Sequence, residues 1–177
     1  METTLFILFI AFLVFFAVQF VYQSFVFSRF SFVKPKKETP KSVPVSVIVW
    51  AKNEYENLVI QLPVLVSQNY PNYELVLIDD ASNDETLDLF EEYEKQYSFV
   101  KLVKVKNNEA FWGNKKFALT LGIKAAKNEY LLFTDADCYP TSKDWIKEMS
   151  AHFTLKKTIV LGYGAYEKIN GSFLNKL

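Results

Sequence analysis

The sequence is short of the residues on which many protein chemistries rest. It has one cysteine, Cys138, and one histidine, His152, among 177 residues. A single cysteine excludes an internal disulfide, and so few imidazole and thiolate groups argue against a zinc cluster built on them. Any metal site here must be made of oxygen ligands. Neither G-x-G-x-x-G nor G-x-x-x-x-G-K-[ST] occurs, so the dinucleotide fingerprint and the P-loop both fail. Net charge is missing too. Twenty basic and twenty acidic residues give a formal charge of zero; no overall field draws the chain toward nucleic acid, which is not an expected partner.

What is present is hydrophobicity, unevenly spread. Half of the residues are hydrophobic and 17% are aromatic. From Leu5 to Phe27 there is no charged residue. Roughly 20 apolar residues at 1.5 Å each cross the ~30 Å hydrocarbon core of a bilayer, so a transmembrane helix is expected over residues 4–28. A cleavable signal peptide would need a basic start and a small-residue cleavage site, whereas this chain opens Met1-Glu2 and runs on through Phe25-Val26-Phe27. Arg29, Lys34, Lys36, Lys37 and Lys41 follow at once. By the positive-inside bias they stay on the cytoplasmic side, so the rest of the chain is expected in the cytoplasm, attached to the membrane by one N-terminal pass. A lone, reduced cysteine agrees with that compartment.

Residues 29–44 carry Pro35, Pro40 and Pro44 among lysines and read as an extended basic linker. From Val45 the pattern changes to short apolar runs alternating with longer amphipathic stretches, as expected of an α/β domain with a mostly parallel sheet and flanking helices. Strands are expected at Val45–Trp50, Glu74–Ile78, Val100–Val105, Tyr130–Phe133 and Thr158–Leu161. Helices are expected at Tyr55–Ser67, Asp84–Tyr97, Asn114–Ala126 and Asp144–Phe153. Ser82 and Asn83, and Thr141 or Ser142, mark two of the starts. Pro63 should kink or shorten the first of these helices.

In open sheets of this type ligands gather outside the carboxyl ends of the strands. There the sequence places Lys52-Asn53-Glu54, Asp79-Asp80-Ala81-Ser82, Asn107-Asn108-Glu109 and Thr134-Asp135-Ala136-Asp137. Asp135 and Asp137 are one residue apart, so in an extended chain both side chains share a face and converge on one cation. Two carboxylates that leave most of the coordination sphere to water and phosphate oxygens suit Mg2+ or Mn2+. Alone, such a triplet is equally a turn or a helix cap after a strand. Asp79 and Asp80 fall on opposite faces of their strand, so one can hold the loop while the other faces ligand. Lys115 and Lys116 open a helix after Phe111-Trp112-Gly113, where a lysine and free backbone N–H groups could meet phosphate, although lysines at helix starts are more often simply solvated.

These pieces, in order, resemble the nucleotide-binding part of family 2 glycosyltransferases with the GT-A, Rossmann-like fold. The matching segments are Val45 to Glu54, Gln68 to Glu74, Val76 to Thr86, Gly113 to Ala126 and Asn128 to Asp137. The resemblance implies a nucleotide-sugar donor, either a UDP- or a GDP-sugar. It puts Ala51 and Glu54 beside the nucleoside, Asp80 at the base, Lys115 near the diphosphate, Asp135 by the ribose and metal, and Asp137 on the metal itself. Trp50 and Lys52 depart from the family pattern, which has a small residue or proline and often a tyrosine at those positions.

The resemblance further implies a single displacement with inversion, using an Asp or Glu base well beyond the D-x-D. Glu167, in Gly164-Ala165-Tyr166-Glu167, does not match that motif and is not assigned. The chain is therefore expected to be the donor half of a longer transferase, within a domain over residues 45–177 that lacks its C-terminal part. A membrane anchor makes lipid-linked or envelope polysaccharide acceptors the expected ones. Three rivals stand beside it. A truncated, non-catalytic, membrane-tethered nucleotide-sugar binding module would share every motif. A receiver-like signalling domain would need an aspartate after the third strand, where Lys104-Val105-Lys106-Asn107 stands. A nucleotidyl transferase would need a glycine-rich basic loop near Val49, and Trp50-Ala51-Lys52-Asn53 is not one.

Overall fold

A computed structural model of the chain describes residues 2–32, 42–106, 115–153, 159–162 and 164–165. The chain divides into two compact units, Met1–Lys37 and Glu38–Leu177. The first contains helix α1, Glu2–Phe32. Its segment Glu2–Val26 is long and apolar enough to cross a membrane, by length and composition. None of that span is buried by protein, and Phe12, Phe16 and Phe20 stack at i, i+4 spacing with centroids 6.4 and 6.3 Å apart. The helix runs past residue 28, where it was expected to stop, and takes in Arg29. No helix breaker occurs before Pro35, so nothing in the sequence halts it sooner. Residues 33–41 of the expected linker lie outside the described residues.

The second unit is built on a four-stranded parallel sheet in the order β3-β2-β1-β4. The strands are β1 (Val45–Ala51), β2 (Tyr73–Asp79), β3 (Val100–Lys104) and β4 (Tyr130–Asp135). Helices α2 (Tyr55–Val66), α3 (Thr86–Gln96), α4 (Lys115–Ala125) and α5 (Trp145–Ala151) complete it. All but one residue of β1 and of β2 are buried, because helices cover both faces of the sheet.

Alternation along the strands sorts the core into two layers. Val45, Val47, Val49, Leu75 and Leu77 pack with Leu58, Leu62 and Leu65 of α2, Phe90 of α3 and Ile146 of α5. Ile48, Val76 and Ile78 point the other way, onto Ala118 of α4. Fully buried side chains such as Leu58, Leu62 and Phe90 each contribute about 1.5–3 kcal/mol of hydrophobic stabilisation. Gly122 lets α4 approach closely, since a Cβ there would overlap the Ile78 side chain.

The topology positions the site. The chain steps from β1 to β2 to β3 in one direction, then crosses back and places β4 on the far side of β1. Strand β1 pairs with β2 from Val45↔Tyr73 to Ala51↔Asp79, and with β4 from Val45↔Tyr130 to Trp50↔Asp135. A reversal of this kind opens a crevice at the carboxyl ends of the central strands. Asp135 stands at its edge, opposite Trp50.

Several expectations need correction. Residues 159–161 form no strand: Ile159 and Leu161 are 78% and 90% exposed. An apolar run becomes a strand only where a neighbouring backbone offers a ladder, and none is offered there among the described residues. Thr158 is outside them. Pro63 sits inside α2 without ending it. It lies on the exposed face one turn after the exposed Val59, so water can take the carbonyl that the missing N–H leaves open. Strands β1, β2 and β4 run one or two residues further than the apolar runs, to Ala51, Asp79 and Asp135. Helices α3 and α5 begin one or two residues later than expected. Their cap positions, Glu85 and Asp144, make no side-chain cap hydrogen bond; Asp84 and Ser142 take the neighbouring N–H groups instead, of Thr86 at 3.1 Å and Asp144 at 3.0 Å.

Candidate functional site at the carboxyl edge of the sheet

The first two loops are stitched to each other. The Asn53 N–H donates to Ser82 Oγ at 3.1 Å, and Asn53 Oδ1 accepts the Asn83 N–H at 2.7 Å. The Glu54 N–H donates to Thr86 Oγ1 at 3.0 Å, and the Tyr55 N–H to Asp84 Oδ2 at 3.3 Å. Asn53 and Ala81 adopt positive φ, at 56° and 53°. For asparagine that is a tolerated turn conformation; for alanine it stores strain on the order of 1 kcal/mol. Slight desolvation pushes the Asp84 carboxyl up, and the hydrogen bonds from Thr86 and Tyr55 outweigh it, leaving Asp84 below its ordinary pKa.

The two aspartates after β2 divide their work as the alternation suggests. Asp79 Oδ1 accepts the Ser82 N–H at 3.2 Å and so ties down its own loop. Asp80 is 6% exposed, its N–H donates to the Ala51 carbonyl at 3.0 Å, and among the described residues nothing donates to its carboxylate. Ala51 is fully buried with its methyl in the core; it brings backbone, and no exposed side chain, to the loop. Glu54 is half-buried and holds Asn57 Nδ2 at 2.6 Å through Oε2.

Lys115, at the start of α4, reaches the end of β4. Its Nζ lies 2.6 Å from Asp135 Oδ1 and 4.5 Å from the centroid of the Trp50 ring. Trp50 and Asp135 are register partners on adjacent strands, so one ammonium spans both. The Lys115 and Asp135 side chains are 43% and 55% exposed. An exposed ion pair is worth about 0–1 kcal/mol and an exposed cation–π contact about 0.5–1 kcal/mol. A phosphate can therefore draw the lysine away at small cost. Residues 107–114, with Asn107-Asn108-Glu109 and Phe111-Trp112-Gly113, lie outside the described residues.

Asp135 ends β4, and the chain then turns. The Cys138 N–H donates back to the Asp135 carbonyl at 3.2 Å. The extended geometry expected from Asp135 to Asp137 thus stops at Asp135, because Ala136 and Asp137 belong to this turn. Both carboxylates nevertheless stay exposed on either side of the buried Ala136. Asp137 Oδ1 accepts the Cys138 thiol at 3.2 Å. Burial, reinforced by that carboxylate, pushes the Cys138 thiol up, which keeps it protonated. Among the described residues no three His, Cys, Asp or Glu side chains cluster as a metal cage. Two exposed carboxylates with an open side are the donor set that Mg2+ or Mn2+ accepts when water and substrate complete the shell.

Two residues near this turn carry roles beyond the sequence reading. Trp50, noted there only as a departure, contributes its ring to Lys115, and its buried Nε1 has no hydrogen-bond partner among the described residues. Gln61 went unremarked. It is fully buried on α2 and donates through Nε2 to the carbonyls of Asp135, at 2.6 Å, and of Cys138. The signal was a polar residue on the apolar face of α2, at helical spacing from Leu58 and Leu65.

A parallel sheet whose strand order reverses at β1, with two exposed carboxylates and a lysine at its carboxyl edge, defines an α/β domain of the doubly wound kind. The chain belongs to glycosyl transferase family 2, whose model matches residues 46–176. The poly(ribitol-phosphate) beta-glucosyltransferase of Bacillus spizizenii is 31% identical over 121 residues, 64% of this chain and 19% of that protein. The mannosyltransferase PcManGT of Pyrobaculum calidifontis, solved with GDP-Man and Mn2+, superposes with a TM-score of 0.63 at 25% identity, over 77% of this chain and 40% of that one. Staphylococcus aureus TarS, solved with UDP-GlcNAc, gives 0.53 at 30% identity, over 62% of this chain and 30% of that one. The fold is accordingly GT-A-like, and the chain spans about a fifth of the length of the first of these relatives.

Proposed function

We propose that residues 45–177 form the donor-binding part of a family 2 glycosyltransferase, which transfers a sugar from a UDP- or GDP-sugar to a cell-envelope polysaccharide or glycolipid acceptor with inversion. The observation that carries this is the exposed Asp135–Asp137 turn at the switch point, with Lys115 already on Asp135. Asp80 accepts a hydrogen bond from the base through a carboxylate to which none of the described residues donates. Ala51 and Glu54 shape the wall against the nucleoside. Lys115 exchanges Asp135 for a diphosphate oxygen, and Asp135 and Asp137 hold the divalent cation. Mg2+ or Mn2+ bound there would neutralise charge on the diphosphate leaving group. PcManGT and TarS were solved with a nucleotide sugar, PcManGT with Mn2+ as well, which supports this assignment of donor and cofactor.

Helix α1 serves as a single N-terminal membrane anchor with the domain in the cytoplasm. Its length and apolar composition support the anchor. Arg29 in the last turn, with the lysines that follow it in sequence, supports the orientation.

A second reading, a tethered nucleotide-sugar binding module, rests on the same residues, since Asp80, Lys115, Asp135 and Asp137 would serve donor binding whether or not transfer follows. One experiment separates the two. The chain is titrated with UDP- and GDP-sugars with and without Mn2+, while donor hydrolysis and transfer are followed in parallel. Mn2+-dependent binding with turnover supports the transferase and excludes the module; binding without turnover supports the donor site that both readings share; no binding of either donor sinks both.

A further inference from the structure

We infer that Gln61 is a positioning residue for the candidate cation site: its side-chain amide fixes the Asp135–Cys138 turn and so holds the Asp135 and Asp137 carboxylates in place. The inference rests on the reading of that turn as a cation and diphosphate site. Gln61 lies among Leu58, Leu62 and Leu65 on the buried face of α2 and is itself fully buried. Leucine or methionine would fill that space without a polar atom, so the amide needs a reason. Its Nε2 donates to the carbonyls at both ends of the turn, those of Asp135 and Cys138, 74 and 77 residues further along the chain. Among the described residues the Cys138 N–H and the Thr134 hydroxyl, within the turn or next to it, also donate to these carbonyls. The Gln61 amide ties the turn to the core.

The orientation of the amide follows from its partners. Two carbonyls demand the NH2 group, so Oε1 faces away, and it is buried without a partner among the described residues. One polar atom is left unsatisfied while the turn is pinned twice. Gln68, just past the end of α2, shows what a buried glutamine does elsewhere. Its Nε2 donates to Val64 and Ser142 carbonyls and its Oε1 accepts the Ile146 N–H, which secures the entry to α5 and not the acidic turn. Gln68 is therefore the control.

The test compares the full chain with Gln61→Met, which keeps volume and removes both donors, and with Gln68→Met. Cys138, the only thiol in the chain, sits in the turn and reports on it through its alkylation rate under native conditions. Binding of UDP with Mn2+ is measured beside it. Gln61→Met should alkylate severalfold faster and bind UDP with Mn2+ about tenfold more weakly, the size of effect seen when a ligand-orienting partner is removed. Gln68→Met should lose stability and change neither readout in its folded fraction. If Gln61→Met does not fold, Gln61→Asn, one methylene shorter and able to reach only one carbonyl, should show both effects at smaller size. Wild-type alkylation and wild-type binding in the Gln61 variants would overturn the inference, as would faster alkylation with unchanged binding. Absence of Mn2+-dependent UDP binding by the wild-type chain would instead overturn the donor-site reading.

Discussion

The two ends of the sheet treat polar groups in opposite ways. At the amino end they are buried and satisfied. The Ser46 hydroxyl donates to Glu74 Oε1 at 2.5 Å, the Lys127 N–H donates to the same oxygen, and the Asn128 N–H donates to Ser46 Oγ at 3.2 Å. Ser46 is fully buried and Glu74 6% exposed. Tyr73 donates to the Leu65 carbonyl at 3.0 Å and Tyr70 to that of Val43 at 2.6 Å. At the carboxyl end Asp135 and Asp137 are exposed, Asp80 is buried without a donor among the described residues, and Ala81 holds a positive φ. Protein groups close the amino end, whereas the Asp135 and Asp137 carboxylates at the other end stay exposed, where the proposed donor would bind. Stability should therefore be concentrated at the amino end and chemistry at the carboxyl end.

The comparison breaks most visibly if Glu74 is removed. Glu74→Ala strands the fully buried Ser46 hydroxyl and takes the acceptor from the part-buried Lys127 N–H, so it should cost about 2 kcal/mol in urea unfolding. Mn2+-dependent donor affinity of the folded fraction should stay at the wild-type value. A variant that kept its stability but lost donor binding would reverse the division proposed between the two ends.

A smaller effect sharpens the same division through pH. Burial, reinforced by the neighbouring Tyr97, pushes the Tyr73 phenol up to about 12 from its ordinary 10.0. A group raised in the folded state contributes stability that is complete below its unfolded pKa and is lost as pH climbs through the folded value, here from about 10 to about 12. Because Tyr73 is only half-buried, the loss should be about 1 kcal/mol, after discounting for solvent screening. Tyr73→Phe should flatten the alkaline limb of the stability profile between those values and leave donor binding unchanged.

Much of this architecture was legible in the sequence, for physical reasons that differ by element. β1 and β2 announced themselves because burial on both faces demands unbroken apolar runs such as Val47-Ile48-Val49 and Val76-Leu77-Ile78, while β4, at the sheet edge with Phe133 exposed, was marked by its short run Tyr130–Phe133 alone. Their ends were misjudged by a residue or two because Asp79 and Asp135 look like loop residues while still pairing in the ladder. Asp79 and Asp80 were separable by role because the period of two puts neighbours on opposite faces. The run at residues 159–161 misled because an apolar segment carries no information about whether a partner strand lies beside it. The partners of Gln61 and the span of Lys115 between Trp50 and Asp135 were out of reach. They depend on which residues the crossover brings together, over separations of 74 residues for Gln61 and Asp135 and 20 for Lys115 and Asp135.

The most direct measurement is calorimetric titration of UDP in the presence of Mn2+ into the wild-type chain and into Asp137→Ala. Because Asp137 is exposed in a turn, the substitution should leave the urea midpoint in place while donor binding with Mn2+ weakens by at least about tenfold. Equal Mn2+-dependent binding by the two chains would contradict the assignment of the Asp135–Asp137 turn as the cation and diphosphate site.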